Sequence, residues 1–427
     1  MAFAISRCCI FLYLAIIGQS IAGCVLSPNL VARDGPLLPS QDPFYKPDNE
    51  DWKTENPGTI LKTRNVKTGA TMDLPSDLQG VYQLLYRTTN ARDQPSYAVT
   101  TVLVPSNATL DRLLSYQVAY DSPNINCSPS YTLQVGSSPS GDATNVELSA
   151  FAQYFLSTGI PISIPDYEGV EAAYTVGPQS AYGVLDSLRA VLSSTDMTGI
   201  TSTAKTTLFG YSGGALAAEW AGELQSSYAP DLTIAGAAIG GVPVNITNAL
   251  FTLDGTEHAG LIAGALVGVA NAFPSFAQHV EHHLKPEFQQ LFCLPKTTCA
   301  ADVFNSSYGY VAQLANKHIS TFFDNGWSPV TEYGRLMNSV CAMGQRGVPR
   351  FPVFMFQGTA DTTVGPLGDV GQLARKLCRD GAVIQFAQVK GADHIPALLK
   401  GFSKAKSFLM DIYNGVAPNE CTDTDIS

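Results

Sequence analysis

Residues 206–224 read TTLFGYSGGALAAEWAGEL. An apolar run of strand length ends on Gly210-Tyr211-Ser212-Gly213-Gly214, and an alanine-rich stretch of helical character follows at once. The pentapeptide fits G-x-S-x-G, the sharp strand-to-helix turn that presents a serine as nucleophile, with Ser212 flanked by residues of little bulk. Three fixed positions in five also arise by chance in a chain rich in Gly and Ser. The pattern therefore carries weight only if the rest of the sequence supplies a base, an acid and an oxyanion hole.

The 427-residue chain is 45% hydrophobic and only 14% charged, so it can bury a large core. Its formal net charge of -11, with no Lys- or Arg-rich run, argues against nucleic acid as a partner, because phosphates would be repelled. At the N-terminus, Arg7 precedes an apolar stretch from Cys8 to Ile17 that is too short to span a bilayer. Ser20-Ile21-Ala22 then offers the small residues of a cleavage site. Residues 1–22 read as a secretory signal peptide, and a secreted, extracellular protein without a transmembrane span is expected. Ile21-Ala22-Gly23-Cys24 also has the form of a bacterial lipoprotein box, but signal peptides end in small residues anyway.

Beyond the signal lie seven cysteines, Cys24, Cys127, Cys293, Cys299, Cys341, Cys378 and Cys421, for which an oxidising compartment predicts disulfides. The odd count leaves at least one thiol over, and no C-x-x-C pair suggests zinc or redox chemistry. Asn107, Asn126, Asn245 and Asn305 head N-x-S/T triplets, acceptors for glycosylation.

Residues 23–76, rich in Pro, Asp and Asn, read as an extended segment wrapping a surface and anchored by Phe44, Tyr45 and Trp52. Eight strands are predicted after it: 80–89, 97–105, 112–120, 159–165, 205–210, 232–241, 350–358 and 382–389. The first two are close enough to pair antiparallel. Helical periodicity at 145–159, 179–194 and 213–228 alternates with the later strands, the pattern of a mostly parallel sheet covered by helices. The interval 243–348 has no strand signal and is too long for a plain connection. Its helical stretches 258–273 and 275–292, the second kinked at Pro286, predict a cap inserted over the carboxyl ends of the strands. The core thus spans 77–242 and 349–421, with a tail at 422–427.

A serine needs an imidazole to take its proton and a carboxylate to fix the imidazole's tautomer. Of six histidines, His258, His279, His282, His283 and His318 fall in the cap, and only His394 follows the last predicted strand. In α/β-hydrolases the chain order is Ser, acid, His, so His394 is the expected base. Asp361, three residues after the strand that ends at Gly358, is the expected acid. Asp393 competes, but neighbouring side chains diverge, and a turn-forming Asp is the ordinary alternative for Asp361. Gly213 supplies one oxyanion N–H from the helix start. Tyr120, Asp121 and Ser122, after the third strand, are the candidates for the second. His279, His282 and His283 share a helix face that reads as solvated; no metal site is expected, since no H-E-x-x-H is present. Asp166 and Glu168 either line the pocket or hold a loop.

GYSGG at 210–214, YDS at 120–122, IPDYEG at 164–169, AAIGGVPVNI at 237–246, GTADTTV at 358–364 and GADH at 391–394 agree in order and spacing with one family. So do QDPFYKP at 41–47 and PGTIL at 57–61. Over residues 41–415 the chain resembles the fungal secretory lipases of the Candida antarctica lipase A type. The resemblance implies an α/β-hydrolase fold with a helical cap after the sixth strand, acting on acyl esters without a cofactor. By motif, Ser212, Asp361 and His394 correspond to its triad, and Asp121 and Gly213 to its oxyanion positions. Its disulfide pattern implies Cys127 paired with Cys293 rather than Cys299, and Cys341 with Cys378.

The expected activity is serine-dependent hydrolysis of acyl esters, most simply lipids, by a monomer whose cap touches a lipid interface transiently. A small-ester esterase or deacetylase, or an acyltransferase, is the alternative. A non-catalytic binding protein on the same fold would normally have lost Ser or His.

Overall fold

The computed structural model describes residues 35–68, 77–137, 142–300, 309–365 and 367–427. The signal peptide at 1–22, Cys24 and Asn305 lie outside them. Ten strands form one sheet: β1 (Ile60–Asn65), β2 (Leu78–Thr89), β3 (Pro95–Pro105), β4 (Arg112–Gln117), β5 (Ile162–Pro165), β6 (Lys205–Tyr211), β7 (Ile234–Gly240), β8 (Val353–Gly358), β9 (Ile384–Val389) and β10 (Thr422–Ile426). Their spatial order is β1-β2-β3-β5-β4-β6-β7-β8-β9-β10. The pairs from β1 to β5 are antiparallel, and all pairs beyond β5 are parallel. The central parallel strands are apolar on both faces, as a sheet covered by helices requires; β8 is buried throughout.

All eight predicted strands lie in this sheet, and two edge strands join them. β1 pairs with β2 inside the segment expected to be merely extended. That segment is pinned by its aromatics: the Tyr45 hydroxyl lies 2.8 Å from Ser130 Oγ, and the Trp52 ring meets Tyr97 edge-on at 5.1 Å. The expected tail at 422–427 is β10, parallel to β9, with Lys390 Nζ 3.0 Å from Asp425 Oδ1. Its sequence, TDTDI, has the polar composition that suits an exposed edge.

The principal helices are α1 (Gly177–Leu192), α2 (Gly213–Tyr228), α3 (Ile246–Leu253), α4 (Ala259–Ala272), α5 (Pro274–His283), α6 (Gly334–Cys341), α7 (Leu367–Arg379) and α8 (His394–Tyr413). Helix α1 packs on α2, and α8 lies against β7 and β8. Between β7 and β8 the described residues form helices and no strand. Helix α5 stops at His283 rather than bending at Pro286: Leu284 and Lys285 are extended, as a residue preceding proline prefers. The insertion returns to the core at residues 344–346, where Glu223 on α2 accepts the N–H groups of Gln345 at 3.0 Å and Arg346 at 2.7 Å.

The strand order places the site. The chain leaves β4 towards β5 on one side and leaves β6 towards β7 on the other. A crevice therefore opens at the carboxyl ends of β4 and β6, the position where open α/β sheets bind ligands. Asp121 follows β4, and Ser212 follows β6.

Candidate active site

Ser212 sits between β6 and α2 with φ 55° and ψ -122°, a conformation an L-residue adopts only at a cost of order 1–3 kcal/mol. The turn is possible because its neighbours lack Cβ atoms. A Cβ on Gly214 would lie 1.9 Å from the Gln117 carbonyl oxygen, and one on Gly210 would lie 2.2 Å from the Gly214 carbonyl oxygen. Strand β4, strand β6 and helix α2 thus meet at backbone contact. Gly214→Ala is expected to prevent normal folding or to lower the thermal midpoint by several degrees, because the Gln117 carbonyl cannot retreat without breaking the β4–β6 ladder; thermal unfolding checks this.

His394 is buried at the start of α8. Its Nε2 is 3.0 Å from Ser212 Oγ, and its Nδ1 is 2.7 Å from Asp361 Oδ2. The Asp361 carboxylate also accepts Gln357 Nε2 at 2.7 Å and the backbone N–H groups of Thr363 at 2.9 Å and Val364 at 3.3 Å. Asp393 does different work. It caps α8 by accepting the His394 N–H at 2.8 Å and ties down Thr362 at 3.0 Å. Those bonds, His394's first, hold its carboxyl below the usual range. Tyr211 locks the imidazole from behind: its hydroxyl donates to the His394 carbonyl at 2.6 Å, and the rings lie 4.9 Å apart.

Asp121 has φ 45° and faces the elbow, its Oδ1 only 1.9 Å from where a Cβ on Gly213 would stand. Gly213 opens α2, so its N–H has no intrahelical acceptor and lies at the positive end of the helix dipole. Asp121 Oδ1 is out of water without a hydrogen-bond partner among the described residues. Burial pushes this carboxyl up to about 6, partly offset by His394. Tyr310, from the helical insertion, donates its hydroxyl to the Asp121 carbonyl at 2.5 Å and fixes that loop from above.

Ser212, Gly213 and Asp121 line a narrow pocket with about 40 Å³ of room for a water-sized molecule's centre. Its far wall is aliphatic: Leu216, Ile246, Leu250, Leu253, Leu261 and Ile262, mostly from α3 and α4. Such a wall favours an acyl chain over a polar substrate.

The sequence profile of the secretory lipase family matches residues 133–420. The chain belongs to the secretory lipase family. Lipase A of Arthroderma benhamiae is 32% identical over 394 residues, covering 90% of this chain and 82% of that protein. A trichothecene C-3 esterase of Fusarium sporotrichioides is 34% identical over 399 residues, covering 90% and 86%. The structure of Candida antarctica lipase A in its closed state superposes with a TM-score of 0.81 at 27% identity, covering 90% of this chain and 88% of that one. The fold is that of an α/β-hydrolase, and the chain is a carboxylic-ester hydrolase.

Around this pocket, the remaining expected residues take other places. Asp166 holds a loop, accepting the Ser130 N–H at 2.9 Å and its hydroxyl at 2.5 Å. Glu168 is buried beneath Tyr120, whose phenol oxygen accepts the Glu168 N–H at 2.8 Å. Neither lines the pocket. Tyr120 and Ser122 are buried, and Ser122 Oγ turns away to accept the Ala300 N–H at 2.9 Å. In the insertion, His258 meets Thr363 Oγ1 at 3.2 Å, and His318 is exposed near Asp254. His279 and His283 are not simply solvated: each has a carboxylate beside it, Glu332 and Asp324 respectively. Asn107 is exposed, with Nδ2 donating to the Ser157 carbonyl at 3.4 Å, while Asn126 and Asn245 are half-buried and use Oδ1 to accept the N–H groups of Ser40 and Asn248.

Both disulfide expectations require correction. Cys127 bonds Cys299, not Cys293, and Cys293 is itself disulfide-bonded. Cys378 bonds Cys421, not Cys341, because β10 alongside β9 delivers Cys421 to the end of α7. Cys341 is a free thiol inside the protein, pushed up to about 12 by burial.

Sequence reasoning missed Tyr310 and Gln357. Gln357 also accepts the Val242 N–H at 2.9 Å, so it couples the Asp361 loop to the end of β7. Nothing in FMFQG marks that glutamine as anything but a strand residue.

Buried acids near the site fix the pH response. Burial raises Asp166 to about 7, against its bonds from Ser130, and raises Glu147 to about 8. Each folded-state value exceeds the unfolded one, so the folded state holds protons that the unfolded chain releases. That stability is complete below about pH 4, declines as pH rises, and is lost above about pH 8. The thermal midpoint is expected to fall as pH is raised from 5 to 8.5; scanning calorimetry across that range checks it, and a rising midpoint would contradict it.

Proposed function

We propose that the chain is a secreted serine lipase in which Ser212 is the nucleophile, His394 the general base and acid, Asp361 the orienting carboxylate, and the Gly213 and Asp121 N–H groups the oxyanion donors. The observation that carries this reading is the unbroken sequence Asp361–His394–Ser212 opening into an aliphatic pocket.

His394 Nε2 takes the Ser212 proton as Oγ attacks the ester carbonyl, and the paired N–H groups stabilise the alkoxide that develops. The leaving alcohol departs with the proton from His394. A water, deprotonated by the same imidazole, then cleaves the acyl-enzyme and releases the acid. Asp361 holds Nδ1–H throughout, so Nε2 presents its lone pair to Ser212. The acyl chain lies against Leu216, Ile246 and Leu250, and apolar burial there lowers the barrier for longer chains. The helical insertion serves as cap and as the surface that meets lipid. No helix among the described residues is long and apolar enough to cross a membrane. Secretion rests on the signal-peptide reading of residues 1–22 and on the family. A monomer is the proposed state.

Initial rates on p-nitrophenyl acetate, butyrate, octanoate and palmitate test the substrate class. Rates that rise towards octanoate support a lipase. Activity confined to acetate would support a small-ester esterase instead, a reading favoured by the similarity to the trichothecene C-3 esterase.

A further inference from the structure

The helical insertion brings together a second group of chemistry-bearing side chains that takes no part in the Ser212 pocket. His279 and His283 are four residues apart on α5, so their rings share one face. Glu332 follows the short helical turn Ser328–Thr331 and places its carboxylate against that face, Oε2 3.3 Å from Nε2 of His279. One ring nitrogen from each histidine and one oxygen of Glu332 all lie within 4.8 Å of one another.

Two further observations point to a ligand. Nε2 of His279 is out of water and has no hydrogen-bond partner among the described residues, only the Glu332 carboxylate 3.3 Å away. Nδ1 of His283 lies 2.7 Å from Asp324 Oδ1. A carboxylate that accepts Nδ1–H orients the ring and leaves the lone pair on Nε2, the support that metal-ligating histidines ordinarily have. The His279 ring is also held, lying 4.7 Å from Tyr333.

We propose that His279, His283 and Glu332 bind a first-row divalent transition ion, which clips α5 to the 328–332 turn within the insertion. Two imidazoles and a carboxylate, with water in the fourth position, make a tetrahedral shell suited to Zn²⁺. Ca²⁺ and Mg²⁺ demand oxygen donors and fit poorly. Ligand atoms around zinc stand about 3.3–3.5 Å apart, given bonds of about 2.0–2.1 Å. His279 Nε2 and Glu332 Oε2, 3.3 Å apart, already have that spacing, and Glu332 is the exposed member of the three.

The test uses the full chain, produced without a histidine tag, stripped with chelator and titrated with ZnCl₂ by calorimetry, with thermal midpoints measured in parallel. Wild type is expected to bind one ion per chain and to melt at a higher temperature with it. Glu332→Gln, at an exposed position that leaves the packing intact, is expected to weaken binding at least tenfold. His279→Ala/His283→Ala is expected to abolish it, and His318→Ala to leave it unchanged. Absence of saturable one-to-one binding by wild type overturns the proposal. Equal binding by Glu332→Gln and the double variant overturns it too, since the ion would then sit elsewhere.

Discussion

Ser212→Ala is expected to reduce turnover by about a million-fold with the fold retained, by comparison with other serine hydrolases. The reason is local. In the proposed mechanism, Ser212 Oγ carries the acyl group, and it lies 3.0 Å from His394 Nε2. Alanine keeps the elbow's backbone and removes only that oxygen, so the pocket and the oxyanion donors stay in place. What remains is the slow attack of water assisted by those donors. Turnover of p-nitrophenyl butyrate, with the thermal midpoint as a control for folding, measures the effect. A loss smaller than about a hundredfold would place the nucleophile elsewhere.

Asp361→Asn is expected to lower turnover by about ten-thousand-fold, whereas Asp393→Asn should change it only a few-fold. An asparagine at 361 can still accept the Thr363 and Val364 N–H groups. It can also turn its amide N–H towards His394 Nδ1, which then presents its lone pair to the amide and its proton to Ser212. The base is thereby set in the wrong tautomer. Asp393 only caps α8 and holds Thr362, and asparagine is an equally good cap. The ratio of the two effects, read from kcat/KM, is the informative number. Comparable losses at both positions would mean that Asp393 shares the orienting role.

Much of this architecture is legible in the sequence because parallel strands buried on both faces are written as continuous apolar runs. TTLFGY and VFMFQG end where the chain must turn at the carboxyl edge, and that is where Ser212 and Asp361 stand. Topology then does the assembling: β4 and β6 are neighbours, which brings Asp121 beside Gly213 across 92 residues of sequence. The edge strands were hidden for an opposite reason. TDTDI at β10 has no apolar face to announce it, and it is held by backbone pairing to β9 and by the Cys378–Cys421 bond. Disulfide partners are set by which chain ends the sheet brings together, so spacing could not separate Cys299 from Cys293. Tyr310 acts through one hydrogen bond to the distant Asp121 loop, and Gln357 links nearby Asp361 to distant Val242; no local pattern encodes either.

The most direct test of the central claim is covalent. A fluorophosphonate ester should phosphonylate one residue of the native chain, and peptide mass spectrometry should place the adduct on Ser212. The adduct should be absent from Ser212→Ala, and its formation should slow by orders of magnitude in His394→Ala. Stoichiometric labelling of a different residue, or an active enzyme that the reagent leaves unlabelled, would contradict the account.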